Sequence, residues 1–530
     1  MKNISLILVL SLLGACSYKK SDLKNQKIQG HDQLYSEIEA PAPVQLVKTK
    51  KRIVIISTND WMGKFLSQKK VVHDDYNRSD LNYSIGGISY FSNYLKTIRE
   101  MYQGQTLLLD SGNFLPVGDF DPKVIDQASQ IFTALNYDAL TLGLQDFNRT
   151  PGAGEAPETA LRNIIKKFKA PVLLSNLYNV NTGRIVEWQG TLPYLMKEVN
   201  GVKIGIIGLI PDDFVSLTPL QVRKGLYIEG MLQATLRQSR LLRSLGAEII
   251  VVMTHAGITC GEELAQELRV PLSKVNFEPA KSELCSKQGL IADFLQRLPK
   301  GIVDVLLTGR NQVKTANIIN NTIVMSSFGN GTSFGMTELI YDKQKKEISI
   351  DESKVHQPIL LCQDFFKETT DCYTEDPYID HKTRTPAIFW GKPVISDPEI
   401  EKKFPLTTAI HTLEIDDLKK LGDVIYFTNF SGETPVRLKI SGEKLFQSLN
   451  QAAVSQKLSQ WINITLKERT FFINGKKLEM NETYDLVTSL ENMSNHLYLK
   501  KLVPSPDLKL ISANEIFNDE ITTLQSAPTP

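Results

Sequence analysis

A chain of 530 residues with 42% apolar and 22% charged residues has the composition of a folded protein and is too long for one hydrophobic core, so at least two domains are expected. A net charge of +1 gives no electrostatic basis for binding nucleic acid or an acidic partner surface.

The first stretch, MKNISLILVLSLLGAC, carries Lys2, an apolar run from Ile4 to Leu13 too short to span a bilayer, and then Leu13-Gly14-Ala15-Cys16. It resembles a bacterial lipoprotein signal peptide over residues 1–15, which implies cleavage before Cys16 and acylation of that residue. Acyl chains contribute about 0.8 kcal/mol per buried methylene, so the expected partner is a membrane, reached through lipidated Cys16. Ser17 is not the Asp of an inner-membrane retention signal. By resemblance to Gram-negative lipoproteins this implies the outer membrane, facing the periplasm or the cell surface. Residues 16–50, rich in Lys, Gln, Asn and Ser, read as a flexible tether, and 516–530 as a flexible tail.

Between Lys50 and Asp342 a single pattern recurs: a continuously apolar run ending in a polar cluster. IVIIS runs into Asn59-Asp60, TLLLDSGN into Asn113, and DALTLG into Leu144-Gln145-Asp146; PVLLSN, KIGIIGLI, EIIVVMTH and VDVLLTG follow. Such runs are strands buried on both faces. ISYFSNYLKTIREM and LRQSRLLRSLGAE repeat apolar residues at three and four, the helical spacing. Alternation of the two predicts a layered α/β domain over 51–345, with ligands collecting beyond the strand ends. Beyond Cys16, four thiols remain, Cys260, Cys285, Cys362 and Cys372, and they allow three pairings. Neighbour pairing, Cys260–Cys285 and Cys362–Cys372, closes two local excursions and is favoured. Zinc is the rival, but no CxxC pair is present.

The strand-end blocks ISTNDWMGKF, LLLDSGNF, YDALTLGLQDF, IIVVMTHAG and VDVLLTGRNQ resemble, in order, those of the 5′-nucleotidase family of metallophosphoesterases. Farther on, IFWGKPVISDPEI, VIYFTNFSGETPVRLKISGEKLFQSL and FFINGKKLEMNETYDLVTS resemble its C-terminal domain. The resemblance implies an α/β fold: a four-layer αββα sandwich, a disulfide-containing linker over 346–390, and a smaller, truncated α/β domain over 391–515. The family's substrates are nucleotides and nucleotide sugars. Its centre holds two divalent metals that clamp phosphate and activate water.

Carried onto this chain, that centre is largely missing. The family's Asp-x-His keeps Asp60 but has Met62, a soft thioether poorly suited to Mn or Mg. Its bridging Asp is Asn113, and its Asn-His-Glu block is Leu144-Gln145-Asp146, with Gln145 at the position of the catalytic His. Thr254-His255 survives, while Gly-His-x-His has become Gly309-Arg310-Asn311-Gln312. Asp60 and His255 are thus vestigial metal ligands, and structural roles for both, a turn or helix cap and a bonded strand end, are the preferred reading. Of the seven histidines (31, 73, 255, 356, 381, 411 and 496), only His255 ends an apolar strand. Arg310, permanently charged, is expected to replace the metals' positive charge, pairing with Asp60 or binding an anion near Asn113. In the second domain the family's substrate loop is reduced to PLTTAIH, and Trp461, Phe471 and Phe472 are assigned to the core. The expected function is a non-catalytic envelope lipoprotein that binds a nucleotide, an anion or a protein partner, with no cofactor. The alternative is a residual phosphoesterase using a divalent metal (Mn, Zn, Mg or Ca).

Overall fold

The computed structural model describes residues 37–41, 46–74, 79–116, 122–147, 156–261, 264, 285–373, 379–380, 382–403, 424–426, 435–454, 461–462, 464–467, 470–473, 475–489 and 509–510. The expected signal peptide, lipidated Cys16, the PLTTAIH segment and the tail lie outside these residues.

The apolar runs form two sheets. In the first, Lys50–Thr58 lies parallel to Thr106–Asp110, which is followed in parallel by Ala139–Thr141, Val172–Leu173 and Thr191–Leu192. Ser333–Asp342 closes the other side of Lys50–Thr58, antiparallel, with Gly335 opposite Ser57 and Asp342 opposite Lys50. In the second sheet Val202–Leu209, Ile249–Thr254, Val305–Leu307 and Thr322–Ser326 run parallel, with Leu195–Val199 and Thr315–Ile319 antiparallel at its edges.

The period of two along each strand explains why these runs have no polar face. Ile53, Ile55, Leu107 and Leu109 pack with Ile206, Val251, Met253, Val305 and Leu307, so the two sheets share one core. The alternate residues Val54, Ile56 and Leu108 pack instead with Phe91, Leu95 and Ile98 of the helix Ile88–Met101. On the far side Ile250, Val252 and Leu306 pack with Ala234 and Leu242 of the helix Met231–Ser244 and with Ile291 and Leu295 of the helix Leu290–Arg297. Helix, sheet, sheet, helix is the expected four-layer order.

Both expected disulfides are formed, Cys260–Cys285 and Cys362–Cys372. Two of the expected boundaries are corrected. Glu37–Ile38, read as tether, pairs in parallel with Ile388–Phe389. The supposed linker opens as part of the first domain: Glu347–Ile348, Lys354–Val355 and Ile359–Leu360 all pair with Ser333–Asp342. In the second domain Val424–Tyr426, Pro435–Ser441, Trp461–Ile462, Thr483–Ser489 and Lys509–Leu510 form one sheet beside the helix Gly442–Val454. Phe471 is buried there against Phe446, ring centres 5.8 Å apart, which agrees with a core role.

Candidate functional site

Six strand ends from the two sheets meet at one point, carrying Asn59-Asp60, Gly112-Asn113, Gly143 to Asp146, His255, Gly309-Arg310 and Ser327 to Asn330. Main-chain bonds tie the loops together: Asp60 N–H donates to Gly112 O, Met62 N–H to Asn113 O, and Asn330 N–H to Asp60 O, all within 2.9 Å. Gly112 makes this approach possible. It sits at φ +110, and a Cβ there would lie 2.9 Å from the His255 Cβ and 2.7 Å from Gly143 N.

Asp60 is at the centre and is 1% exposed. Its Oδ1 contacts His255 Nε2 at 2.6 Å and accepts from Asn113 Nδ2 at 3.2 Å. Its Oδ2 accepts from Asn59 Nδ2 at 2.8 Å and from the Arg310 main-chain N–H at 2.8 Å. A carboxylate offers about four acceptor directions, and here all are taken. Burial disfavours the Asp60 charge, but the His255 charge and the hydrogen bonds from His255, Asn59 and Arg310 outweigh it and hold the carboxyl below its ordinary pKa.

The neighbouring groups are equally committed. Asn59 Oδ1 accepts from the N–H and Oγ of Ser327 at 2.9 and 2.7 Å. Asn113 Oδ1 accepts the Gln145 N–H at 3.1 Å, so this amide bridges two strand ends. Asp146, fully buried, accepts from the N–H groups of Asn113, Leu115 and Gly143 at 2.8, 3.0 and 2.8 Å, and so braces the loop rather than facing ligand. Asp110 accepts from Thr58 Oγ1 at 2.6 Å and from Gly112 N–H at 2.9 Å. Burial drives Asp110 well above the usual aspartate range; those bonds offset part of the effect, and Asp146 and Asp60 add to it.

Arg310 differs from expectation. Its main-chain N–H, not its guanidinium, meets Asp60; the guanidinium pairs with Asp213 Oδ2 at 2.8 Å, both side chains 28% exposed. The side chain that faces the Asp60 carboxylate is therefore the His255 imidazole and not the guanidinium. Asp213 and Asp110 went unrecognised in the sequence, although both stand at or just after a strand end, in PDDF and LLLDSGN. Left without a hydrogen-bond partner among the described residues are His255 Nδ1, Gln145 Oε1, Asp213 Oδ1 and Thr254 Oγ1.

A two-metal site does not fit this donor set. Leu144 donates nothing, Asn113 carries no charge, Arg310 supplies a backbone N–H where an imidazole would stand, and every Asp60 acceptor direction is occupied. Among the described residues no group of three or more His, Cys, Asp or Glu is placed to hold a metal ion. Nor, among them, is any helix long and apolar enough to cross a membrane.

No family model matches the chain. A cell wall protein of Listeria monocytogenes is 27% identical over 170 residues, 32% of this chain and 20% of that protein. The 5′-nucleotidase of Vibrio parahaemolyticus is 24% identical over 222 residues, covering 41% and 35%. The UshA protein of Yersinia enterocolitica is 27% identical over 213 residues, covering 39% and 34%. The matches thus span between 20% and 35% of these relatives' lengths. Among solved structures, the NAD nucleotidase of Haemophilus influenzae superposes with a TM-score of 0.52 at 15% identity over 91% of this chain and 100% of that one. The 5′-nucleotidase precursor of Thermus thermophilus gives 0.53 at 13%, over 91% and 98%. At these identities the structures establish the shared fold.

Proposed function

We propose that this chain, a relative of the 5′-nucleotidases with their metallophosphoesterase fold, is a non-catalytic member that binds a ligand or a protein partner in the bacterial cell envelope, anchored through Cys16. The observation that carries the reading is the closed shell around Asp60: four donors occupy the carboxylate that would otherwise be a metal ligand. The substitutions at Met62, Asn113, Leu144, Gln145, Arg310 and Gln312 act in the same direction, since none supplies a hard anionic or imidazole donor. This donor set is a poor holder for the metal that would activate water, and Gln145 cannot exchange a proton near neutral pH, so the residues at hand do not supply the family's hydrolytic chemistry. An envelope location is supported by the resemblance of residues 1–16 to a lipoprotein leader and is compatible with a relative named as a cell wall protein.

The test is the metal content of the purified mature protein, together with phosphate release from AMP, UDP-sugars and bis(p-nitrophenyl) phosphate in Mn²⁺ or Zn²⁺. The expected result is no bound metal and no release above blank. A stoichiometric pair of ions, with turnover abolished by Asp60→Ala, would overturn the reading. Calorimetric titration with nucleotides in EDTA then separates a nucleotide binder from a protein scaffold.

A further inference from the structure

The loop that carries Arg310 is braced from one side by the residues that follow His255. Gly309 N–H donates to Ala256 O at 3.4 Å, Thr315 Oγ1 to Ile258 O at 3.0 Å, and Asn311 Nδ2 to Thr259 Oγ1 at 3.4 Å. Gly257 lets Asn311 lie directly on this segment, since a Cβ there would fall 1.8 Å from Asn311 Oδ1. The segment ends at Cys260, which is bonded to Cys285.

The residues after Cys285 belong to a different part of the fold. Ser286 Oγ donates to Gln288 O at 2.8 Å and Gln296 Nε2 to Lys287 O at 3.0 Å, so this turn is fastened to the helix Leu290–Arg297. Cys260 and Cys285 face each other in an antiparallel bridge, and Ser286 N–H donates to Thr259 O at 2.9 Å. The disulfide is thus the covalent link between the brace of the Arg310 loop and the outer helix layer. The two disulfides differ in access. Cys362 and Cys372 are both 0% exposed and Cys260 is 2% exposed, whereas Cys285 is only half-buried. Exchange requires a thiolate to reach one sulfur, so in the folded protein it begins at Cys285.

We propose that Cys260–Cys285 is a redox-sensitive staple that sets the rigidity of the Arg310 loop, opened by a dithiol reductant in the folded protein while Cys362–Cys372 stays closed. One thiolate of the dithiol attacks Cys285 Sγ; the protein S–S bond breaks and its electron pair leaves on Cys260 Sγ, which takes up a proton. The second thiolate of the dithiol then displaces Cys285, so the dithiol ends as a disulfide and the protein as two thiols. The brace loses its covalent link, and the Arg310 N–H, one of the four donors around Asp60, is held less firmly. The device requires neither metal nor ligand at Asp60, so it stands or falls separately from the function proposed for that cluster.

The experiment titrates the full mature protein with dithiothreitol under native conditions, traps free thiols with iodoacetamide and maps them by peptide mass, with hydrogen exchange followed on the same samples. Labelling is expected at Cys260 and Cys285 before Cys362 and Cys372. Peptides covering 309–312 should then exchange at least about tenfold faster than in the oxidised protein, with the strands Lys50–Thr58 and Thr106–Asp110 unchanged. Reoxidation should restore slow exchange, and Cys260→Ser/Cys285→Ser should show the fast exchange without reductant; if that variant does not fold, the titration of the parent decides. The proposal is overturned if all four cysteines label together, if Cys260 and Cys285 stay unlabelled until the protein unfolds, or if exchange at 309–312 is unchanged by reduction or rises only in step with the two strands.

Discussion

Asp60 gives the most direct test of whether the strand-end cluster is a metal site or a structural knot. Replacing it by Ala removes four hydrogen bonds at once. Asn59 Nδ2 keeps a partner in Ser327 O at 3.1 Å, but His255 Nε2, Asn113 Nδ2 and the Arg310 N–H are left bare in a buried site. Each orphaned buried donor costs about 1–3 kcal/mol. Asp60 also sits at φ +53, where Ala is disfavoured by roughly another 1 kcal/mol relative to Asp or Asn. The expected loss for Asp60→Ala is therefore about 5 kcal/mol. Asp60→Asn tolerates the same backbone and keeps one acceptor oxygen but turns an amide toward donors, so about 3 kcal/mol is expected. Urea unfolding in EDTA, followed by the fluorescence of tryptophans including the adjacent, buried Trp61, measures both. The pH dependence has a fixed sign. The Asp60 pKa is depressed in the folded state, so its stabilisation is fully present above the ordinary aspartate value of 3.8 and is lost as pH falls below it. The gap between parent and Asp60→Asn should be widest near neutrality and shrink in acid. If Asp60 were a metal ligand held in a strained apo site, removing its charge in EDTA would be neutral or stabilising, and that result would refute the structural reading.

Asp110 should behave in the opposite sense: its pKa is raised, so its contribution is favourable at low pH and is lost as pH rises through the folded value. Asp110→Asn, which mimics the protonated acid toward Thr58 and Gly112, is expected to gain stability on the parent between pH 5 and pH 9, read as a difference in melting temperature. Asn113→Asp would place a carboxylate where Nδ2 now lies 3.2 Å from Asp60 Oδ1; its melting temperature should fall in EDTA and partly recover in Mn²⁺, a dependence absent from the parent. Removing the fully buried Cys362–Cys372 pair as a double Ala variant should cost about 3 kcal/mol in urea unfolding by the chain-entropy estimate for a separation of 10 residues.

The fold was legible because its strands are buried on both faces, and a run such as IVIIS has no other stable setting in a domain of this size. The helices were legible for the complementary reason: Phe91, Leu95 and Ile98 recur at spacings that fit only one face of a helix. Pieces too short for any period were missed. Glu37–Ile38, Lys354–Val355 and Ile359–Leu360 are strands of two residues each, defined by what they pair with rather than by their own pattern. In the site, the residue types were legible but not the direction in which they point. Arg310 was expected to reach Asp60 with its side chain, yet its backbone at φ +81 offers Asp60 the N–H while the guanidinium reaches Asp213. A carboxylate's role was equally hidden: Asp146 was seen only as part of the Leu144-Gln145-Asp146 block and Asp110 not at all, and only their burial and hydrogen bonds show that they brace main-chain N–H groups.

The loops around Asp60 hold several residues in left-handed backbone, a conformation that persists only where the surroundings fix it. Asp60, Met62, Asn113, Arg310, Gln312 and Asn330 all have positive φ, between +47 and +81. Asp and Asn tolerate this region, but for Met62, Arg310 and Gln312 it costs roughly 1–2 kcal/mol each. What holds these conformations is a set of loop-to-loop bonds: Asp60 N–H to Gly112 O, Met62 N–H to Asn113 O, Asn330 N–H to Asp60 O, and Arg310 N–H to the Asp60 carboxylate. Three of these use only main-chain atoms and are indifferent to which side chains the loops carry. The fourth uses the Asp60 carboxylate, to which His255 is also bonded. Asp60 and His255 thus close the knot, and the side chains of Asn113 and Asp146 tie its loops further, through Asp60 and the Gln145 N–H and through the N–H groups of Asn113, Leu115 and Gly143. The strand-end geometry therefore rests on bonds between the loops themselves, three of them purely main-chain and the rest made by the buried side chains of Asp60, His255, Asn113 and Asp146.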